Sequence, residues 1–470
     1  MTLAALRPHT GDPRHPPALT ELFLGSFRRD LLAFFPRAMF ESVDRELALG
    51  GRAGPPNFSL RETPGGAALE VELFGTRHRI FDRDGTPFTA QDRRMMRAIG
   101  AVVDMRYYHL FQISSTLRLE LYRGGSEDHY VAAFLEPSSY EPSSSRPSRI
   151  AATIQALRTA ALSTYENHRV STGALLVGPL DDPIHRRPPA APDALPYGVE
   201  LTGLKSVHRL CDGTRTLFLV DRAGCLAEII DITRWAAETP AAEGPEVPCA
   251  RAYHAHAQAT LAGGHMCLVL SPNQEIKIFC EGSQVFAFAH GRWRILDAQS
   301  RFASWEAAVA EPELARVLFQ AALDLAEVRQ GGLFVVVSDP PAARGNLIAP
   351  HDLLSSSVQN GPPPELAPRD PLAKRALHYL ARGRNATALD PPVLEALASL
   401  DGALVTDRAG QILAFGAILR HDTSDLPALT AAEGARTAAA CVASRFGPVL
   451  KVSEDGFVSC YLNGARAWDL

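Results

Sequence analysis

The sequence predicts an α/β protein of the α+β kind, with an N-terminal α+β domain followed by two tandem α/β domains, each a mixed central sheet flanked by helices. Three observations support this class. About the first 135 residues contain both amphipathic segments and segments of alternating polarity. A Pro/Ser-rich stretch follows at 136–147. After it, apolar strands and turns occur in the same order twice. A chain of 470 residues is also too long for a single core. The predicted domains are 1–140, 148–300 and 303–470.

The N-terminal domain contains both helical and strand patterns. Residues 19–48 repeat apolar side chains at helical spacing and predict one or two helices, broken at Pro36. Strict alternation at 68–74 and at 116–122 predicts strands with one wet face, and 89–103 predicts a helix between them. The domain resembles no family, and we expect it to contact a protein partner.

Bulk composition limits the class of function. Hydrophobic residues make up 46% and charged residues 21% of the chain, and the net charge of −5 comes with no basic block. We therefore expect no nucleic-acid partner. The seven cysteines form no Cys-x-x-Cys pair, which fits a reducing compartment. Without a signal peptide at residues 1–8 or an apolar run of membrane-spanning length, we expect a soluble, cytoplasmic protein with no membrane partner.

An internal repeat organises the rest of the chain. Residues 216–227 and 402–414 share Asp-Arg-Ala-Gly where a tight hairpin should join two apolar strands. In each repeat, a helix and an apolar strand precede this hairpin. An Ala-Arg helix start and a strand–turn–strand follow it. Five elements in the same order predict a structural duplication.

The second copy carries the residues that suggest chemistry. An apolar strand at 331–337 is followed by Asp401-Gly402-Ala403, then by Gly434-Ala435-Arg436 before an Ala-rich helix, and last by Ser453-Glu454 in a turn. A helix start offers free N–H groups and partial positive charge, which suit a phosphate. Arg436 would add a fork-shaped cationic donor.

This order of motifs resembles the diadenylate cyclase (DAC) superfamily, in its degenerate branch grouped as sensor modules. The resemblance is good over 310–467, suggestive over 150–300 and absent before 140. It implies that Asp401 holds a divalent metal, Mg²⁺ or Mn²⁺, and helps to activate a ribose hydroxyl. It also implies that Gly402 lets the backbone approach a nucleotide. Glu454 would be a second metal ligand.

The sequence departs from the family where phosphate is handled. The family pattern at the helix start is Gly-Thr/Ser-Arg-His-Arg, but here Ala435 lacks the hydroxyl, Thr437 replaces His and Ala438 replaces the second Arg. Losing one preorganised donor typically costs about 100- to 1000-fold in rate. Cyclase chemistry should therefore be largely lost, whereas binding could persist. The predicted nucleotide-binding residues are Asp401, Gly402, Ala403, Leu419, Gly434, Ala435, Arg436, Thr437, Ser453, Glu454 and Arg251.

Several of these residues also have plain structural explanations. Asp401 could simply end the preceding helix, Arg436 could be a solvated first-turn residue, and Glu454 could be a solvated hairpin carboxylate. Leu419 lies where the family contacts the base, yet ordinary core packing is favoured slightly. These alternatives are open at the level of sequence.

The first copy lacks the Asp-Gly-Ala motif and has Arg215-Thr216-Leu217 in its place, although Arg251 matches Arg436. We expect it to do no metal-assisted chemistry, although it could still hold phosphate. A tandem pair could form within one chain the face-to-face arrangement that cyclases of this family adopt. Residues 75–79 spell the cyclase helix-start signature, but they follow a predicted strand and run into a predicted hairpin at 80–85, with no Ala-rich helix after them. They are not expected to be functional.

The function that these residues predict is a bacterial-type nucleotide sensor without catalysis. Its ligand would be ATP-like or a cyclic dinucleotide. One alternative is an active diadenylate cyclase that makes c-di-AMP from two ATP with a divalent metal. The other is a structural pseudoenzyme that binds no nucleotide.

Overall fold

The computed structural model describes residues 17–44, 58–63, 66, 68–111, 118–141, 144, 147–180, 194–202, 207–239, 244–354, 381, 383–420 and 434–470. The chain forms two compact units. The first comprises Met1–Ala242 and Gln258–Leu296, and the second comprises Glu243–Ala257 and Asp297–Leu470. The first unit thus holds the predicted N-terminal domain together with most of the first repeat. Among the described helices, none combines the length and apolar character needed to cross a bilayer.

The N-terminal part of the first unit is an antiparallel sheet with helices. Its elements are α1 (Pro17–Phe34), β1 (Ala38–Asp44), β2 (Phe58–Glu62), β3 (Ala68–Leu73), β4 (Thr76–Asp82), α2 (Ala90–Phe111), a 3₁₀ turn (Leu119–Tyr122), α3 (Ser126–Leu135) and a 3₁₀ turn (Pro137–Tyr140). The four strands have the order β1-β4-β3-β2. Leu69, Val71 and Leu73 of β3 are buried, as their alternation predicts.

Two local predictions differ from the structure in this part. Helix α1 ends before Pro36, as predicted, but the chain continues as strand β1 and not as a second helix. The alternation at 116–122 was predicted to be a strand, yet Leu119–Tyr122 is a 3₁₀ turn, and residues 116 and 117 lie outside the described part. At three residues per turn, positions two apart point to different sides. Leu121 is therefore buried while Leu119 is 58% exposed.

The first repeat is built around a seven-stranded mixed sheet. Its elements are α4 (Arg149–Ala161), β5 (Thr164–Tyr165), β6 (His168–Arg169), β7 (Thr172–Leu176), α5 (Val199–Thr202), α6 (Val207–Leu210), β8 (Thr216–Val220), β9 (Leu226–Asp231), α7 (Ile232–Glu238), a 3₁₀ turn (Arg251–Tyr253), α8 (His254–Gln258), β10 (Met266–Leu270), β11 (Ile276–Cys280), β12 (Ser283–Ala289) and β13 (Arg292–Ile295). The sheet order is β13-β12-β11-β10-β7-β8-β9, and only its β7–β8 pair is parallel.

A buried carboxylate joins the two parts of the first unit. Asp128 on α3 accepts a hydrogen bond from Trp293 Nε1 of β13 at 2.8 Å. The same carboxylate pairs with Arg158 of α4 at 2.7 Å, and its side chain is only 4% exposed. The Arg158 guanidinium also lies 3.9 Å from the centroid of the Phe288 ring. The N-terminal helices and the seven-stranded sheet therefore share one packed interior.

The second unit is a six-stranded mixed sheet covered on both faces. Its elements are α9 (Ala298–Val309), α10 (Pro312–Glu327), β14 (Gly332–Val337), α11 (Pro340–Asn346), a 3₁₀ turn (Ala386–Ala388), α12 (Pro391–Ala398), β15 (Ala403–Asp407), β16 (Ile412–Ala417), α13 (Gly434–Ala443), β17 (Val449–Val452), β18 (Val458–Leu462) and β19 (Ala465–Asp469). The order is β16-β15-β14-β17-β18-β19. Alternate residues of β14 enter two separate apolar clusters, so this strand is buried on both sides.

The strand order of the two larger sheets confirms the predicted duplication. In each, a parallel central pair is extended by a hairpin on one side and by an antiparallel meander on the other. The pairing register also corresponds. In each copy the first residue of the central strand lies opposite the last residue of its antiparallel neighbour. These pairs are Thr172 of β7 with Leu270 of β10, and Gly332 of β14 with Val452 of β17.

The shared Asp-Arg-Ala-Gly sequence forms the same tight hairpin in both copies. Asp221 Oδ1 accepts from the backbone N–H of Cys225 at 2.8 Å, and Asp407 Oδ1 accepts from that of Gln411 at 2.9 Å. In each case the aspartate carboxylate accepts a hydrogen bond from a backbone N–H group of the turn that would otherwise lack a partner. The repeated four residues therefore have a structural role. Residues 76–79, which belong to the sequence that imitates the cyclase signature, lie in strand β4 and begin no helix. The hairpin predicted at 80–85 does not form, because β4 continues to Asp82 and the next element is helix α2.

Candidate functional site

The strand directions of the second unit gather most of the predicted site residues at one end of its sheet. β14 and β15 run parallel, whereas β16 and β17 run antiparallel to their neighbours. Two strands therefore begin, and two finish, at the same end, which we call the sheet base. Asp401 precedes β15, Leu419 follows β16, and Ser453 and Glu454 follow β17. Gly331 lies there at the start of β14.

The Asp-Gly-Ala motif forms the bend that leads into β15. Asp401 is exposed and lies beyond α12, whose C-cap is Ser399. Gly402 has φ +114°, and a Cβ there would lie 2.5 Å from the carbonyl carbon of Gly416. The missing side chain thus admits the neighbouring strand of the protein itself. Ala403 is buried.

Arg436 reaches from helix α13 to the sheet base. Its guanidinium lies over buried Gly331, where an added Cβ would collide with Arg436 Nη1. The Arg436 side chain is 32% exposed, and its Nη1 lies 3.7 Å from Oε1 of Glu454. Gly434 and Ala435 are exposed at the helix start. The sheet base therefore presents a partly exposed guanidinium in the space that a glycine leaves open.

Thr437 has a partner that the sequence did not indicate. Lys451 Nζ of β17 donates to Thr437 Oγ1 at 2.7 Å. Thr437 is buried and Lys451 is half-buried. A lysine within the apolar strand Val449–Val452 is the one sequence signal that could have identified it. Its ammonium adds a second positive charge beside the residue that follows Arg436.

Ser453 and Glu454 belong to the turn after β17. The Ser453 hydroxyl accepts from the backbone N–H of Asp455 at 3.2 Å, so it serves the turn. The Glu454 side chain is 74% exposed and faces Arg436. Leu419 is 5% exposed and packs within the apolar cluster on this face of the sheet, as the core alternative expects. Its neighbour Ile418 is 61% exposed.

Arg251 is engaged elsewhere. It lies in the segment 243–257, which packs with the second unit. Its Nη1 pairs with Asp324 Oδ2 at 2.5 Å and with Glu395 Oε1 at 2.7 Å. Burial raises the pKa of Asp324, and burial together with the charge of Asp324 raises that of Glu395. Two carboxylates thus compete with any phosphate for this guanidinium. Among the described residues, Arg251 bonds to Asp324 and Glu395 and not to Asp401, Arg436 or Glu454.

The proposed metal ligands are two exposed carboxylates. Across the described ranges, no three or more His, Cys, Asp or Glu side chains converge as a group that could hold a metal ion. Asp401 and Glu454 both lie at the sheet base, but Glu454 faces the Arg436 guanidinium. A resident metal would need further oxygen ligands. A nucleotide supplies such ligands, because Mg²⁺ is commonly bound by one or two carboxylates together with substrate phosphates.

Two solved structures are weakly similar to parts of the chain. No family model and no curated protein matches the chain. It is similar to a hypothetical membrane-spanning protein from Bacillus cereus, with 22% identity and a TM-score of 0.24 over 35% of this chain and 69% of that one. It is also similar to a double mutant of DacA from Staphylococcus aureus, with 20% identity and a TM-score of 0.21 over 34% of this chain and 89% of that one. DacA is a diadenylate cyclase, and as a neighbour it is weak.

Proposed function

We propose that the second unit binds a nucleotide at its sheet base and works as a sensor without cyclase turnover. The ligand would be ATP-like or a cyclic dinucleotide. The proposal is supported by the sequence resemblance over 310–467 and by the gathering of Asp401, Arg436 and Glu454 at one end of the sheet. Arg251 is not included in the proposed site.

The observation that carries the proposal is the placement of Arg436. Its guanidinium rests over a glycine at the start of a buried strand, is partly exposed, and faces an exposed carboxylate at 3.7 Å. An exposed ion pair of this kind contributes about 0–1 kcal/mol. A phosphate could therefore replace Glu454 at little cost and would gain a bidentate, charge-assisted partner.

The loss of catalysis follows from the helix start. Ala435 and Ala438 carry no side-chain donor, and Thr437, which replaces the family's His, is buried against Lys451. Few side-chain donors are then left to stabilise charge on a leaving pyrophosphate, which is usually a large part of such catalysis. Asp401 is the proposed metal ligand, acting together with phosphate oxygens brought by the nucleotide.

One preparation separates the three candidate functions. The full chain is incubated with ATP and Mn²⁺ and assayed for cyclic product, and ATP and cyclic dinucleotides are then titrated by calorimetry. Binding without product supports the sensor. Product formation identifies a cyclase, and the absence of both identifies a structural pseudoenzyme.

Arg436→Ala tests the proposed site directly. We expect nucleotide binding to weaken by more than about 1.5 kcal/mol, because a hydrogen bond to a charged group is lost. Arg466→Ala is the matched control: its side chain is 39% exposed and faces Asp469 at 3.4 Å on β19, at an edge of the same sheet. An unchanged affinity in Arg436→Ala, measured by calorimetry, would remove Arg436 from the site.

A further inference from the structure

A second concave site lies in the N-terminal part of the first unit. A cavity of about 400 Å³ opens between strand β2, helix α2 and the 3₁₀ turn Pro137–Tyr140. This volume falls within the range of small-molecule pockets. Its walls are mainly apolar and include Phe58, Leu60, Ala101 and Met105. The cavity is separate from the sheet base and lies entirely within the first unit.

A glycine in the middle of α2 shapes one wall. A Cβ on Gly100 would collide with the Phe58 ring, so the ring lies directly against the helix backbone. Glycine within a helix costs roughly 1 kcal/mol relative to alanine. On the other side, the Tyr140 hydroxyl lies 2.9 Å from Nδ1 of buried His129, which fixes the phenol. The pocket walls are therefore held in place before any ligand arrives.

Two opposite charges lie at the mouth of this cavity. Arg97 and Glu141 both line it and are both exposed. Within the part of the chain that the structure describes, neither side chain has a hydrogen bond or an ion pair. Asp104, on the same wall, is 5% exposed and already has contacts within the protein, so it is not counted as a ligand-binding group. An apolar pocket thus carries one unengaged cation and one unengaged anion at its rim.

We propose that this cavity binds a small zwitterion with an apolar body, of the chemical class of an aromatic α-amino acid. The ring would occupy the space lined by Phe58, Leu60 and Met105. The carboxylate would face Arg97, and the ammonium would face Glu141. A ligand with a single charge would leave one of these two side chains without a partner, so the zwitterion should bind most tightly.

The test compares three indoles that differ only in their charged groups. L-tryptophan, tryptamine and indole-3-propionate are titrated into the full chain by calorimetry. We expect L-tryptophan to bind at least about tenfold more tightly than either analogue, since each charged hydrogen bond contributes about 1.5 kcal/mol or more. Equal affinities for the three compounds, or no saturable binding of L-tryptophan, would overturn the proposal.

Variants assign the binding to this cavity. Arg97→Gln and Glu141→Gln should each lower the affinity for L-tryptophan at least about fivefold. Ala101→Leu, which fills the cavity, should abolish binding. Arg215→Gln is the control, because its side chain is 86% exposed and does not line the cavity. Circular dichroism checks that each variant is folded. If folded Ala101→Leu binds L-tryptophan as the unchanged protein does, the ligand lies elsewhere.

Discussion

At the scale of single residues, the Arg436 guanidinium occupies space that is open only because residue 331 is a glycine. The side chain that a Gly331→Ala substitution adds would collide with the Arg436 guanidinium, which is the far end of a flexible side chain and can move. We therefore expect little loss of stability but a fall in nucleotide affinity approaching that of Arg436→Ala. Calorimetric titration and a thermal melt measure the two effects separately.

The next residue provides the control for this prediction. A Cβ on Gly332 would lie 3.0 Å from Leu325 Cδ1 and 3.2 Å from the carbonyl oxygen of Ala398, which is packed interior. Gly332→Ala should therefore lower the melting temperature and leave the affinity of the folded protein unchanged. The opposite pattern in the two variants would show that Gly331 does not position Arg436.

The sequence could predict some of these residues but not all of them. Asp401, Arg436 and Glu454 were identified by motif order, and the strand directions bring them to one end of the sheet. Gly331 and Lys451 were not identified as site residues, because their contacts with Arg436 and Thr437 depend on how α13 packs across β14 and β17. No local pattern encodes that packing.

At the scale of elements, the Asp128 carboxylate connects α3, α4 and β13. Asp128→Ala would leave the buried Trp293 Nε1 without a hydrogen-bond acceptor. It would also leave Arg158 without its counter-ion. Breaking a buried pair by removing one partner typically costs 3–5 kcal/mol. Because Arg158 is 32% exposed, we expect a loss of about 3 kcal/mol in the free energy of unfolding.

Denaturant unfolding measures this loss, and an exposed pair gives the comparison. Glu238, whose side chain is 46% exposed, pairs with Arg234 at 2.9 Å on α7. Glu238→Ala should leave the free energy of unfolding nearly unchanged, because an exposed ion pair contributes little to stability. A similar cost for both variants would mean that Asp128 does not join these elements.

Arg251 plays a comparable role in the second unit, where it joins the segment 243–257 to α10 and α12 through Asp324 and Glu395. Arg251→Met would leave two partly buried carboxylates facing each other, so both pKa values would rise further above their ordinary values. We expect a loss of about 2 kcal/mol near neutral pH, below the range for fully buried pairs because these side chains are partly exposed.

The pH dependence of this variant has a definite sign. A carboxyl whose pKa is raised by folding holds its proton more tightly in the native state, so the native state gains stability as pH falls through the raised pKa values. The deficit of Arg251→Met should therefore be smaller when unfolding is measured at an acidic pH than at neutral pH. Arg316→Met, which removes an exposed pair with Glu313 on α10, should show a small deficit at both pH values. A deficit in Arg251→Met that grows on acidification would contradict this account.

At the scale of the whole molecule, the duplication was predictable and the division of the chain into units was less so. A short hairpin sequence recurs among apolar strands in the same order, which predicts the repeat. The matching strand order of the two larger sheets confirms it. The packing of the N-terminal helices with the first repeat depends on Asp128, Arg158 and Trp293. These residues lie far apart in the sequence, and no local pattern links them.

The two copies differ at the start of the strand that corresponds to β15. In the first copy this position is occupied by Arg215-Thr216-Leu217, and Asp212 closes the preceding turn. Burial alone would raise the pKa of Asp212, but hydrogen bonds from the backbone N–H groups of Thr216, Arg215 and Thr214 lower it to about 2. That carboxylate is therefore already occupied and does not stand in for Asp401.

We accordingly expect one nucleotide per chain. The first copy lacks the Asp-Gly-Ala bend, its Arg251 is held by two carboxylates, and its Arg215 pairs with Asp212. In the second copy, Arg436 faces one exposed carboxylate at a longer distance. Calorimetry of the full chain with the tightest nucleotide should give a stoichiometry of about one. Arg436→Ala should remove this single transition, whereas Arg222→Ala, in the Asp-Arg-Ala-Gly hairpin of the first copy, should leave it. A stoichiometry of two, with one transition surviving in Arg436→Ala, would show that the first copy also binds phosphate and would restore the paired arrangement within one chain as the working explanation.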